Sequence, residues 1–380
     1  MQSILIVTRH SFLLPILIFC FLVCTGCNEE VQTPEKEVSA EENVNSLLLK
    51  DYKPESLYQS NGPAVEKAAF PVIDMHAHPY AKSEAALDEW VTIMDKVGIE
   101  KTIIQSYQTG AAFDSLVAVY NKYPDRFILY CGFDYSGFEE DDFGDAAIKE
   151  LERCFSVGAK GVGELGDKGK GLFYSKPTKA FGMHINDPKM KPLLEKCAEL
   201  GMPVSIHVAE PIWMYQPMDA RNDGLMNAFK WRLDDQKGIV DHGGMIAILE
   251  EAIAQNPKTT FIACHYANSS YDLGILGNLF DKYPNLYADN SARYAETATI
   301  PRTVKKFYTQ FADRLVYGTD MGISEEMYRT TLRILETADE HFYDRNISSY
   351  QWAMNGYDLP TDVLEKVYRG NALKILNLEP

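Results

Sequence analysis

From Phe70 to the C-terminus, short apolar runs alternate with amphipathic helical stretches, eight times over. No other property of the chain limits its fold so strongly. Side chains alternate faces along a strand and recur every 3.6 residues along a helix, so the period of each run reports its element. The runs predict strands over 72–76, 101–106, 127–133, 159–165, 203–208, 260–265, 286–290 and 315–319. Helical patterns fall between them near 84–97, 112–123, 145–157, 188–200, 243–255, 270–283 and 301–312. Two more follow near 325–340 and 361–376. This order predicts an α/β chain folded as a single (β/α)8 barrel with extra C-terminal helices. A doubly wound sheet is the alternative. Its usual dinucleotide signature, Gly-x-Gly-x-x-Gly after the first strand, is missing.

A barrel brings the C-terminal ends of all eight strands to one rim, so residues at those ends become candidates for chemistry. The first run ends Val72-Ile73-Asp74-Met75-His76-Ala77-His78, and alternation puts His76 and His78 on one face. The fourth ends at Glu164, the fifth at His207, the sixth at His265 and the eighth at Asp320. One histidine in an apolar strand is usually a hydrogen-bonded core residue. Four histidines and two carboxylates on one rim are hard to reconcile with packing alone, because an unpaired buried carboxylate costs several kcal/mol. Metal coordination relieves that cost. Ser205, Ala263 and Gly318 lie two positions before three of these residues and leave room beneath them.

Two connections on the same rim are long, 166–187 and 210–243. Loops of this length are usually functional or disordered. The second carries Trp213, Met214, Tyr215, Phe229 and Trp231, too aromatic for disorder, and is expected to form a wall or lid over the substrate or to pack on the rim.

The order His-x-His on strand one, carboxylate on strand four, His on strands five and six, and Asp on strand eight resembles the amidohydrolase superfamily. The segments 70–79, 203–207, 259–265, 315–320 and Tyr368-Arg369-Gly370-Asn371-Ala372 are similar to its amidohydrolase-related branch. The resemblance spans about residues 50 to 380 and implies a metal-dependent enzyme. By it, His76, His78 and Asp320 bind the more buried metal, and His207 and His265 bind a second ion or contribute to a one-metal site. Many members carry a carboxylated lysine on strand four. Here Glu164 stands at the strand end, as in deoxyribonuclease-like members, either bridging two metals or supporting one. The donors suit Zn2+ foremost, with Mn2+ or Fe2+ as alternatives. The implied reaction is hydrolysis of an amide, ester or lactone by metal-activated water, with Asp320 as general base and then acid. The same branch contains non-oxidative decarboxylases of aromatic acids, which makes decarboxylation the nearest rival. A surface binding protein without turnover is the rival of another class.

Further candidates are substrate contacts. Arg293 holds a substrate carboxylate or phosphate, or forms a surface ion pair. Tyr266 and Asn268 follow the strand-six histidine and are expected to line the pocket. Trp213 stacks on substrate or packs the lid. His184 and His242 lie in rim loops and are expected to be solvated.

The N-terminus has another logic. Arg9 and His10 precede an apolar run from Phe12 to Val23, too short to span a bilayer comfortably and proportioned like a signal-peptide core. Thr25-Gly26-Cys27 resembles the end of a bacterial lipobox, which implies cleavage before Cys27 and diacylglycerol on its sulfur. Residues 1–26 are therefore expected to be a signal peptide, 27–65 a polar tether and 66–380 the barrel, lipid-anchored in the cell envelope. The net charge of −17 lacks the basic stripe of a nucleic-acid binder, leaving a small molecule as the expected substrate. Cys131, Cys154, Cys197 and Cys264 sit in apolar stretches without zinc-finger spacing and read as buried free thiols.

Overall fold

Eight parallel strands, each joined to the next through helical structure, form the core of the computed structural model. It describes residues 44–59, 61–173, 179–345, 347 and 349–379. The expected signal peptide, Cys27 and the part of the expected tether at 27–43 and 60 lie outside the described residues. No helix among the described residues is long and apolar enough to cross a membrane. Leu49–Pro380 make one compact unit.

We number the barrel strands β1 (Val72–Ala77), β2 (Ile99–Gln105), β3 (Phe127–Cys131), β4 (Gly161–Asp167), β5 (Val204–Val208), β6 (Phe261–Ala263), β7 (Leu286–Asp289) and β8 (Leu315–Val316). They pair in sequence order, all parallel. Backbone bonds from Met75 N to Tyr317 O (2.9 Å) and from Asp320 N to His76 O (2.8 Å) join β1 to the segment after β8. The result is a nearly closed TIM barrel.

The helices form for local reasons. Helix α1 (Glu84–Val97) starts at Ser83, whose side chain accepts from Ala86 N. It stops at Gly98, whose positive φ of 89° suits glycine. Its buried residues Leu87, Trp90, Met94 and Val97 recur at three- and four-residue spacing and cover the outside of the sheet. Inside the barrel, Ile73, Met75, Ile103, Tyr130, Ile262 and Val316 cluster with Leu373 and Ile375 of the C-terminal helix. That helix ends the second of the two expected extra elements, the first being the helix Glu325–Glu336, and it seals the end of the barrel opposite the rim.

Two details depart from simple strand patterns. In β1, Asp74 pairs with Thr102 and Ala77 with Ile104, so three residues oppose two. The same count occurs in β4, where Val162 pairs with Val204 and Leu165 with Ile206. Both are β-bulges, which re-aim the side chains around them. They surround His76 and Glu164. Strands β6 and β8 are also shorter than expected; after β6 the chain turns left-handed at His265.

The long connections are ordered where described. Gly171–Leu172 and Ala180–Phe181 pair antiparallel, and Leu172 pairs back to Asp167 of β4, so these two short strands extend the sheet as a rim hairpin. The 210–243 segment holds short helical turns at Ile212–Tyr215, Leu225–Ala228 and Phe229–Trp231. It has a small core of its own, Met214, Ala228 and Leu233. Before β1, Pro54 accepts from Arg345 (3.1 Å) and Gly62 donates to Asp339 (2.7 Å), tying this stretch to the C-terminal loops.

Candidate metal centre

All six expected donors converge on the barrel rim. Glu164 is the hub. Its Oε1 lies 3.0 Å from His207 Nδ1 and 3.1 Å from His265 Nε2, and its Oε2 lies 3.5 Å from His78 Nε2. His76 Nε2 is 3.8 Å from Glu164 and 3.9 Å from Asp320, and His78 Nε2 is 3.1 Å from Asp320. Donor atoms within 4.8 Å of one another form three sets among these residues: His76, His78 and Glu164; His76, His265 and Asp320; and Glu164, His207 and His265.

The far nitrogen of each imidazole shows how the rings are aimed. His76 Nδ1 faces Asp289 at 2.9 Å and Ser291 Oγ at 3.0 Å. His265 Nδ1 faces the Ser291 carbonyl at 2.9 Å, and His78 Nδ1 faces the Gln105 carbonyl at 2.8 Å. Each leaves Nε2 for the centre. His207 is turned the other way, with Nε2 on the Ala209 carbonyl at 3.0 Å and Nδ1 on Glu164.

The backbone beneath is strained. His265, Tyr266, Ala267 and Asn268 follow β6 with φ of 53–60°, and Tyr107, Ala209, Ala292 and Asp320 are also left-handed just past their strands. This conformation costs about 1–2 kcal/mol per non-glycine residue, and such strain collects at functional sites. Gly318 is needed at its place, since a Cβ there would meet His76 Cβ at 2.8 Å. The small residue expected below Asp320 thus makes room for His76.

The residues fit a metal ion. His76 Nε2 is buried without a hydrogen-bond partner and aims at the donors. Burial opposes a proton on His76, yet Asp289, Asp320 and Glu164 outweigh it and raise the imidazole to about 9. Burial likewise opposes charge on Glu164, but hydrogen bonds from His207, His265 and His78 hold it well below the usual carboxylate range. Three carboxylates thus concentrate negative potential where the imidazole nitrogens point, a setting in which a divalent cation can take the place of the protons they attract.

Sequence reasoning missed several contributors. Asp289 ends β7 just as the known donors end their strands, and that position was its signal. It orients His76 and accepts from His265 N (2.8 Å) and Ser291 Oγ (2.6 Å). Asp74 accepts from His76 N (3.1 Å), Thr319 N (3.0 Å) and Thr319 Oγ1 (2.7 Å), linking the β1 donors to the Asp320 segment. Glu210, buried three residues after His207, pairs with Lys168 and lies 3.7 Å from Arg293.

The donors floor a cavity of about 1350 Å3, walled by Lys168, Arg293, Phe173, Trp231, Met214 and Tyr350. Arg293 reaches it, but as a buried group rather than a surface ion pair. Its Nε and Nη2 both donate to Asn268 Oδ1, at 2.8 and 2.6 Å. Asn268 therefore acts through Arg293. Tyr266 departs from expectation: it is fully buried and its hydroxyl bonds Tyr308 at 2.6 Å, away from the cavity. Trp213 packs against Tyr350 and Trp352 and joins the 210–243 segment to the C-terminal loops. The loop histidines are not solvated as expected. His242 is buried on the Asn268 carbonyl at 3.0 Å, and His184 Nδ1 pairs with Asp167 at 2.5 Å. Both find acceptors that folding alone brings near. The four described cysteines are free and buried, as expected.

A family model described as Amidohydrolase matches residues 73–378. No curated protein matches the sequence. Among solved structures, 2,6-dihydroxybenzoate decarboxylase from Rhizobium is similar at 16% identity and a TM-score of 0.51, covering 81% of this chain and 99% of that one. A dihydroxybenzoic acid decarboxylase from Polaromonas, with bound manganese and the inhibitor 2-nitroresorcinol, is similar at 16% identity and a TM-score of 0.52, covering 81% and 97%. A TIM-barrel protein from Bordetella bronchiseptica is similar at 16% identity and 0.51, covering 81% and 99%. At such identities the likeness is one of fold.

Proposed function

The chain belongs to the amidohydrolase family, and from that premise we propose that it is a divalent-metal enzyme acting on a small aromatic or unsaturated acid, with non-oxidative decarboxylation as its reaction. The observation that carries this reading is the cavity, where a floor of metal donors faces a wall of aromatic and cationic side chains. An aromatic acid needs both: a flat apolar contact for its ring and positive groups for its carboxylate. The decarboxylases that share the fold support the choice of reaction, and the manganese in one of them supports Mn2+ beside Zn2+.

His76, His78 and Asp320, with Glu164, would hold the ion. When bound it supplies Lewis-acid polarisation of a substrate oxygen and lowers the pKa of water toward neutrality. Asp320 is the centre's carboxylate open to the cavity, its side chain 21% exposed against 4% for Glu164. It is therefore placed to exchange a proton with the substrate. In decarboxylation the bond between ring carbon and carboxylate breaks, CO2 leaves, and the electron pair left on carbon takes the proton Asp320 holds. Arg293 and Lys168 hold anionic groups on the wall.

Hydrolysis of an amide, ester or lactone is a second reading, favoured by one observation. Two of the three donor sets, His76 and His78 on one side and His207 and His265 on the other, share Glu164, as a bridged pair of ions requires. Here Asp320 accepts the proton of the attacking water and returns it to the leaving group.

The manganese- or zinc-loaded protein should release CO2 from a panel of hydroxybenzoic acids, and chelation should abolish the release. Hydrolysis of esters or lactones without CO2 release would replace the first reading by the second. Failure to take up any divalent metal would end both. The same proposal includes a lipid anchor at Cys27, supported by the Thr25-Gly26-Cys27 sequence. Radioactive palmitate should label the full chain, and Cys27→Ala should remove the label; unaltered labelling would exclude lipidation there.

A further inference from the structure

Beside the main cavity lies a second one of about 370 Å3, between the rim hairpin and the lid. Lys168, Phe173, Glu210 and Trp231 line both, so the two are adjacent and share a wall. Its other cations are Lys170, Lys230 and Arg232. Glu210 is the one carboxylate among its lining residues, and Lys168 already pairs with it. Arg232 pairs with Asp234 at 2.8 Å. Lys170 and Lys230 have no carboxylate within ion-pair distance among the described residues. On a chain of net charge −17, this local excess of positive charge runs against the overall balance.

Two aromatics of its lining, Phe181 and Trp231, and Phe229 two residues before Trp231 are open. Phe181 is 57% exposed, Phe229 60% and Trp231 56%. Each has a cation over its ring: Lys179 at 5.8 Å from Phe181, Arg232 at 5.8 Å from Phe229, and Lys168 at 5.1 Å from Trp231. Rings backed by cations favour planar, electron-rich, anionic guests, which stack on the ring and pair with the charge.

We propose that this second cavity is a subsite for a distal anionic group of the substrate. The substrate is then an extended aromatic acid, with its reacting end at the metal donors and a second anion beyond Trp231, among Lys170 and Lys230. This inference rests on the acid-substrate reading above and names the class more narrowly.

The test uses the metal-loaded protein and four probes: benzoate, biphenyl-4-carboxylate, biphenyl-4,4'-dicarboxylate and 4'-phosphonobiphenyl-4-carboxylate. Calorimetry should show a dianion binding about tenfold tighter than biphenyl-4-carboxylate, the gain expected from two exposed ion pairs. The tighter of the two dianions identifies the distal group as carboxylate or phosphate-like. In the Lys170→Ala, Lys230→Ala double variant, whose changes lie at exposed positions, this advantage should fall to about twofold or less. The monoacid constant should hold. Monoacid binding with no dianion advantage overturns the subsite and leaves the acid reading standing. An equal advantage in the double variant also overturns it. Binding to anionic phospholipid vesicles that the double variant loses, without any dianion advantage, would assign the patch to a membrane surface instead. If no acid binds, the acid reading and the subsite fall together.

Discussion

Asp320→Asn is expected to lower kcat by about 10²–10⁴-fold, the usual worth of a positioned proton-transfer group, while the barrel stays folded. The substitution keeps the side chain's size and one carbonyl oxygen, but the amide cannot carry the proton. Asp320 Oδ1 lies 3.1 Å from His78 Nε2 and 3.3 Å from the Tyr80 hydroxyl. Asn retains an acceptor for both. Its backbone N–H still bonds the His76 carbonyl, so β1 and β8 remain joined. Both readings of the reaction route a proton through this carboxyl, so the variant tests the site whichever is right. Steady-state kinetics, read beside the thermal melt and the metal content, separates lost chemistry from lost structure. An unchanged kcat would remove Asp320 from proton transfer.

Glu164→Gln is expected to weaken divalent-metal affinity by at least about 10–100-fold, the loss usual for removing even an outer partner of a metal site. Glu164 is closer than that. It is buried and faces His207, His265 and His78 within 3.5 Å, with His76 just beyond. The substitution removes a charge around which these imidazoles are gathered. It also brings an amide N–H2 to rings that offer lone pairs. Competition against a chelator measures the loss, and elemental analysis gives the stoichiometry. A fall from two ions to one would support the bridging role and hydrolysis. A uniform loss of a single ion would support the one-metal decarboxylase. Unchanged affinity would take Glu164 out of the centre.

Glu164 also shows why some of the site was legible in the chain and some was not. Its place at the end of an apolar run sufficed to select it, together with His76, His78, His207, His265 and Asp320. Asp289 ends its strand in the same way, but it points at an imidazole rather than at the centre, and no local pattern separates the two. Strict alternation puts Asp74 on the face of His76. A bulge intervenes, and Asp74 instead bonds Thr319 at the other side of the barrel seam. Tyr266 directly follows a donor, yet the left-handed turn carries it into the core. His242 and His184 looked like solvated loop residues because their acceptors, Asn268 and Asp167, become neighbours only through folding.

Local patterning along the chain dictated the elements, their order and the end of each strand at which chemistry gathers. Those depend on periodicities of 2 and 3.6 residues and on the single rim that eight parallel strands must share. Which side chains became partners followed from folding: Asp289 with His76, Lys168 with Glu210, Arg293 with Asn268, and the cations with the open rings of Phe181, Phe229 and Trp231. Such choices depend on distances between residues far apart in the chain. They also depend on bulges and left-handed turns, which local periodicity does not encode.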